Sequence, residues 1–256
     1  MDAFGGLVTA EYLPLLFAEG AGSLLLKFMP FVLFFELPLS LLVVVGVIKY
    51  TLERRYEGER DPFFPPVSCI ITCYSEGRDV QKTIISLTEQ IYPGKIEMLA
   101  MIDGASKNKL TYDSAMEMSE YVSGFRNRKL VVVPKWQRGG RVSSLNTGLN
   151  FASGEIVMAL DGDTSFDNNM VERVTRHFED PAISAVSGCL RVRNADESLT
   201  ASLQAIEYFV SIQASKTGLS AFNMVNNISG AFGVFRKNVL DLVEGWDAGT
   251  AEDLDI

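Results

Sequence analysis

Histidine and cysteine are scarce. The 256-residue chain holds one histidine, His177, and three cysteines, Cys69, Cys73 and Cys189, with no CxxC pair among them. That excludes a zinc cluster and a disulfide scaffold, and it fits reduced, mostly buried thiols in a cytosolic setting. A lone histidine in a helical stretch before Pro181 reads as a surface or helix-end residue, not a catalyst. Cations are also in deficit. Lys plus Arg number 23 against 32 Asp plus Glu, a net charge of −9. Nucleic-acid binding, which draws its affinity from cationic contacts to phosphate, is therefore excluded. An acidic protein that took an anionic phosphate ester would need a divalent cation to hold it. No Gly-x-Gly-x-x-Gly follows the first strand-like segment, where CYSEGRD stands instead, so a dinucleotide-dependent dehydrogenase is excluded as well. Hydrophobic residues make up 47% of the chain, enough for a packed core.

What is abundant first is apolar sequence. Phe28 to Ile48 reads FMPFVLFFELPLSLLVVVGVI, with Glu36 its one charge. At about 1.5 Å per residue this run makes a helix of about 31 Å, the thickness of a bilayer core. It begins too far from Met1 for a signal peptide and lacks a small-residue cleavage site after Ile48. We expect an apolar or interfacial segment over 1–27, a transmembrane helix over 28–50 and a linker over 51–66, which carries Pro62, Pro65 and Pro66. Lys49, Arg54, Arg55 and Arg60 follow the span, whereas Lys27 precedes it, so the positive-inside bias places the rest in the cytoplasm. Glu36 within the span implies partner helices.

From Val67 onward the chain alternates. Strand-like runs are VSCIITCY (67–74), IEMLAMI (96–102), LVVVP (130–134), EIVMAL (155–160) and ISAVSG (183–188). Helical spacing marks 78–90, 109–122, 142–152 and 168–178. Near-continuous apolar strands between helices predict a mostly parallel, Rossmann-like α/β sheet covered on both faces. In such sheets ligands bind beyond the carboxyl ends of the strands. Those ends carry Tyr74-Ser75-Glu76, Asp103-Gly104 and Asp161-Gly162-Asp163. In an extended segment the side chains of Asp161 and Asp163 would point to one side, toward one cation, with Gly162 allowing a ligand close to the backbone. Carboxylate oxygens of this kind suit Mg²⁺ or Mn²⁺.

Six ordered strings, IITCYSEG, MIDGAS, GGRVSSLNTGL, ALDGDT, NNISGAFGVFR and AEDLDI, span Val67 to Ile256. In these the chain resembles the family 2 glycosyltransferases of GT-A fold, and among them the membrane-embedded processive polysaccharide synthases. Its flavour is that of poly-N-acetylglucosamine synthases, with hyaluronan and chitin synthases near by. The resemblance implies a cytoplasmic GT-A domain over 67–256, with a nucleotide-binding half (67–165) and an acceptor half (166–256), at the inner (plasma) membrane. It implies an inverting, metal-dependent transfer from a UDP-sugar, UDP-N-acetylglucosamine first among them, to a saccharide acceptor. Tyr74 and Glu76 would border the uracil, Asp103 would bind the uridine, and Asp161 would meet the ribose–diphosphate region. Asp163, with Asp161, would hold Mg²⁺ or Mn²⁺. Gly230 would lie under the acceptor sugar and Asp253 would be the general base.

Two departures stand out. Arg141 follows the paired glycines Gly139 and Gly140 where the family usually has lysine, and a fork is not a point charge. The chain also stops at Ile256, before the glutamine/arginine/tryptophan motif and further spans that such synthases carry, so a fragment of a longer synthase is the expectation. The alternatives are a non-catalytic or truncated UDP-sugar-binding subunit and single-sugar transfer to a lipid phosphate. Elsewhere, Trp136 and Trp246 read as core or rim, the stretch 199–219 as an amphipathic helix packed on the domain, and Arg126, Arg128 and Lys129 as a solvated turn.

Overall fold

A computed structural model of the chain describes residues 27–55 and 63–247. They form two compact units: residues 27–55 with Ser202–Met224, and the remaining described residues. The expected segment over 1–27, apart from Lys27, and most of the linker lie outside the described residues.

One continuous helix, long and apolar enough to cross a membrane, runs Lys27–Glu53. Its α-helical part α1 (Leu37–Arg55) follows a π-helical turn, Val32–Glu36. Pro38 accounts for that turn. Its ring opposes the carbonyl of Phe34, and the wider loop closed by Leu37 N–H on the Val32 carbonyl relieves the clash. The helix outruns the expected linker boundary at residue 51. The Thr51 hydroxyl donates to the Val47 carbonyl at 2.7 Å, and Lys49 pairs with Glu53 at 3.8 Å, so helical bonding continues into the charged residues.

The second unit follows the predicted alternation closely. β1 (Val67–Cys73), α2 (Asp79–Thr88), β2 (Ile96–Asp103), α3 (Lys109–Ser123), β3 (Arg128–Lys135), α4 (Gly140–Phe151) and β4 (Ile156–Asp161) come first. Next are the short α5 (Met170–Thr175), a 3-10 turn Arg176–Glu179 and β5 (Ala185–Ser187). A long helical run, α6 (Leu199–Tyr208), a π turn Phe209–Ala214 and α7 (Ser215–Ser220), then passes through the first unit, and the second resumes with β6 (Phe232–Arg236) and α8 (Lys237–Leu242).

The sheet order is β3-β2-β1-β4-β6-β5. β1 to β4 pair in parallel, β6 runs antiparallel to β4, and β5 antiparallel to β6. Alternate side chains sort onto the two faces. Cys69, Ile71, Met98, Ala100, Met158 and Leu160 meet Val80, Ile84, Leu87 and Met118 of α2 and α3. Ile70, Leu99, Met101, Val157 and Ala159 meet Leu145 and Leu149 of α4, with Phe235, Leu240 and Trp246. Each buried Val, Ile, Leu or Met among them contributes roughly 1.5–3 kcal/mol relative to exposure. Helix α4 lies hard against β1, for a Cβ on Gly148 would strike Ile70. That close seat sets where its first turn meets the sheet edge.

Two expectations need correction. Arg128 is no solvated turn residue. It opens β3, and its half-buried guanidinium donates to the carbonyls of Thr88 (3.0 Å), Gly94 (3.2 Å), Gln90 (2.7 Å) and Tyr92 (3.0 Å), gathering the end of α2 and the loop that follows it. Lys129 pairs with the buried Glu97 at 2.8 Å. The helix over 199–219, for its part, belongs largely to the unit of α1. Gly46 and Gly218 bring α1 and α7 into backbone contact, where neither has room for a Cβ. Lys49 donates to the Ala221 carbonyl at 2.6 Å, and its ammonium lies 5.1 Å from the centre of the Phe222 ring. Trp246 is core, as expected, whereas Trp136 is 65% exposed.

Candidate functional site

The carboxyl ends of β1, β2 and β4 form one edge, and the expected residues of the nucleotide-binding half are there. Asp103 ends β2 and is buried. Its two oxygens accept the N–H groups of Gly139 and Gly140, both at 2.9 Å, and Oδ1 also meets the Lys135 ammonium at 3.1 Å. Burial alone would raise this carboxyl, but the two amides and the Lys135 charge outweigh it and hold the pKa below the ordinary value. Gly140, at φ 82°, makes the turn that aims both amides at one carboxylate. Lys135 is in turn held by the hydroxyls of Ser143 (2.9 Å) and Ser144 (3.1 Å).

Arg141, the next residue, projects from the first turn of α4 toward β4. It donates through Nη1 to the Asp161 carboxylate and to the Thr72 hydroxyl (2.9 Å), and through Nη2 to the Gly230 carbonyl. The structure thus joins three expected site residues, Arg141, Asp161 and Gly230, by direct bonds.

Asp163 does not follow the expected extended geometry. Residues 162 and 163 form a turn, because Gly162 N–H bonds the Thr72 carbonyl at 3.0 Å and its own carbonyl accepts the Thr83 hydroxyl at 2.8 Å. Gly162 is packed there, with the Thr72 carbonyl and the Cys73 sulfur each 3.0 Å from where a Cβ would sit. The glycine is thus required by chain packing at β1. Asp163 itself is exposed, with the Thr164 hydroxyl 3.3 Å from its Oδ1. Glu76 stands close to both acids. Its Oε2 is buried without a partner among the described residues. Burial first, then the charges of Asp163 and Asp161, push this carboxyl above its ordinary value against the pull of backbone groups at Tyr74 and Glu76.

Several residues at this edge had no distinct signal in the sequence. Asn108 accepts Ser75 N–H (3.2 Å) and the Thr111 hydroxyl (2.6 Å), and Thr111 accepts Gly77 N–H (2.9 Å), which fixes the Tyr74–Gly77 loop. Arg138 lies 4.0 Å from the centre of the Tyr74 ring, a cation–π contact. Asn108 was a plain loop residue, and Arg138 was one more charge before the glycine pair. Asp253 lies outside the described residues.

Among the described residues no three His, Cys, Asp or Glu side chains form a ready metal cage. The donor set still fits Mg²⁺ or Mn²⁺, which bind through one or two carboxylates and take the other ligands from phosphate and water. Exposed Asp163 and partly exposed Asp161 carry oxygens of that kind, and the buried Glu76 Oε2, which feels the charge of both, has no partner among the described residues. A cavity of about 460 Å³ lined by Pro66, Glu155, Arg236 and Asp241 sits at the opposite sheet edge, away from these groups.

A six-stranded, mainly parallel sheet with acids and a braced arginine at its carboxyl edge is an α/β architecture of the GT-A class. Residues 68–243 match the family model described as glycosyl transferase family 2, and the chain belongs to that family. It is 31% identical over 226 residues to a poly-beta-1,6-N-acetyl-D-glucosamine synthase of Staphylococcus epidermidis, covering 85% of this chain and 52% of the relative. Against the same-named synthase of Staphylococcus aureus strain COL it is 30% identical over 230 residues, covering 87% of this chain and 53% of the relative. The chain therefore spans about half the length of these relatives. In fold it is similar to a mannosyltransferase from Pyrobaculum calidifontis solved in complex with GDP-Man and Mn²⁺. The TM-score is 0.58 at 20% identity, over 85% of this chain and 60% of that one.

Proposed function

We propose that this glycosyltransferase moves N-acetylglucosamine from UDP-N-acetylglucosamine to a growing polysaccharide, with inversion at the anomeric carbon. The observation that carries the reading is the gathering of Glu76, Asp103, Asp161, Asp163 and Arg141 at one sheet edge, in a chain whose relatives bear the poly-N-acetylglucosamine synthase name.

Tyr74 and Glu76 border the uracil. Asp103 shapes the nucleoside pocket by clamping the Gly139–Gly140 turn, and it meets the uridine from there. Arg141 supplies a fixed cation next to the diphosphate, and through Gly230 it reaches the turn under the acceptor sugar. Asp163, with Asp161, would hold the divalent cation, which when bound neutralises charge on the departing diphosphate. Asp253 takes the proton from the acceptor hydroxyl. The freed oxygen forms its bond to the anomeric carbon from the face opposite UDP, while the bond to the β-phosphate oxygen breaks and UDP leaves with that electron pair. The helix over Lys27–Glu53 spans the plasma membrane, with the following cationic residues and the catalytic unit in the cytoplasm.

Membranes carrying the protein test this reading. Label from UDP-N-acetylglucosamine should enter polymer, and unlabelled UDP-glucose or GDP-mannose in tenfold excess should compete poorly. Effective competition by GDP-mannose would overturn the donor assignment. Tight UDP binding without any transfer would favour a binding subunit, and label in a lipid-linked monosaccharide would favour transfer to a lipid phosphate.

A further inference from the structure

The proposed donor edge and the segment leading to AEDLD are tied to the same helix, and one residue makes the second tie. Asn146 lies on α4, just after the turn that carries Arg141. Its side-chain amide donates to the Trp246 carbonyl at 2.7 Å and accepts the Trp246 N–H at 2.9 Å, pairing with that residue as a neighbouring strand would. Nothing about α4 itself calls for asparagine, which is a poorer helix former than alanine or leucine.

The partner segment is built to meet it. After α8 the chain turns sharply through Glu244 and Gly245, at φ 61° and 87°, and Gly245 N–H closes on the Leu240 carbonyl at 2.8 Å. A left-handed glutamate is strained, so the surroundings must hold it. Gly245 faces Asn146 so closely that a Cβ there would collide with its Oδ1. Trp246 is 5% exposed and packs edge-on to Phe235 of β6, with ring centres 5.7 Å apart. Backbone and side chain of Trp246 are thus both fixed, a short way upstream of Asp253 in the sequence.

We propose that Asn146 is a positioning residue for catalysis: by pinning the Trp246 backbone to α4, it sets the start of the segment that carries the base relative to the donor-side groups Arg141 and Asp103. The inference rests on the proposed transfer reaction. Misplacing a reacting group by about 1 Å can cost on the order of 100-fold in rate, so the loss should fall on turnover and not on donor binding.

Asn146→Ala and Asn146→Asp test it in the whole protein, in membranes or detergent. The Asp variant keeps shape and the acceptor for Trp246 N–H, but sets a carboxylate against the Trp246 carbonyl, so it reports even if the Ala variant folds poorly. In both, kcat should fall at least about tenfold. The dissociation constant for UDP should stay within about twofold of the parent, and deuterium uptake at 244–247 should quicken. Three results would each overturn the inference: unchanged uptake, unchanged kcat despite faster uptake, or UDP affinity falling in step with kcat, which marks simple support of the fold. A parent that binds UDP and transfers no sugar would instead remove the transfer reading, and this inference with it.

Discussion

The guanidinium of Arg141 joins Asp161 to Gly230, donating to the carboxylate at the end of β4 through one nitrogen and to the carbonyl of the SGAFG turn through the other. A lysine has one ammonium and no fork, so it could not hold both partners in this planar way. The departure from the family's usual lysine is therefore a structural choice in this chain.

Arg141→Ala should weaken UDP binding by about tenfold, the lower end for a charge-assisted contact, since both partners are partly exposed and screened. Arg141→Lys should fall between that variant and the parent. Calorimetric titration with UDP reads both, and parent-like affinity in the Ala variant would detach Arg141 from the donor site.

Asp103 makes stability sensitive to acid. Its pKa is lowered in the folded state, so the stability it contributes is fully present above about pH 4, the ordinary carboxylate value. That stability is lost as pH falls through the lower folded value. Asp103→Asn should cost about 2 kcal/mol at neutral pH through its weakened bonds to Gly139, Gly140 and Lys135, and should flatten the acid limb. Denaturant unfolding across pH 3 to 7 would show this, and an unchanged acid limb would refute it.

The thiols should divide by burial. Cys69 is pushed up to about 12 and Cys73 well above the ordinary thiol value, in both cases chiefly by burial, whereas Cys189 is exposed. A thiol-specific reagent at pH 8 should titrate Cys189 quickly and the other two only on unfolding. Rapid reaction of Cys69 or Cys73 in the native protein would mean that the β1 core opens readily.

Much of this was legible in the residues. Runs such as VSCIITC and IEMLAMI are apolar at every position, and that is the pattern of strands covered on both faces. The strand ends then mark Glu76, Asp103, Asp161 and Asp163 in the sequence itself. Direction was not legible: FGVFR pairs antiparallel between β4 and β5, and strand chemistry carries no sign for that. Nor was the turn at Gly162, since extended and turned backbones suit Asp-Gly-Asp equally, and long-range bonds to Thr72 and Thr83 decide between them. Arg128 looked like a solvated charge because the carbonyls it gathers come from residues distant along the chain. Asn146 failed to stand out for the same reason, since its partner Trp246 is remote in sequence.

In the proposed reaction these edge acids serve a metal-assisted transfer from a UDP-sugar. Its most direct measurement is initial-rate transfer of label from UDP-N-acetylglucosamine by the parent, Asp163→Ala and Asp253→Asn, each with Mn²⁺ and with chelator. The parent should transfer with Mn²⁺ and stop with chelator, and Asp163→Ala should stay near background in both. Asp253→Asn should lose about 10²–10⁴-fold while still binding UDP. Transfer by the parent that is indifferent to chelator, or parent-like rates in either variant, would contradict the account.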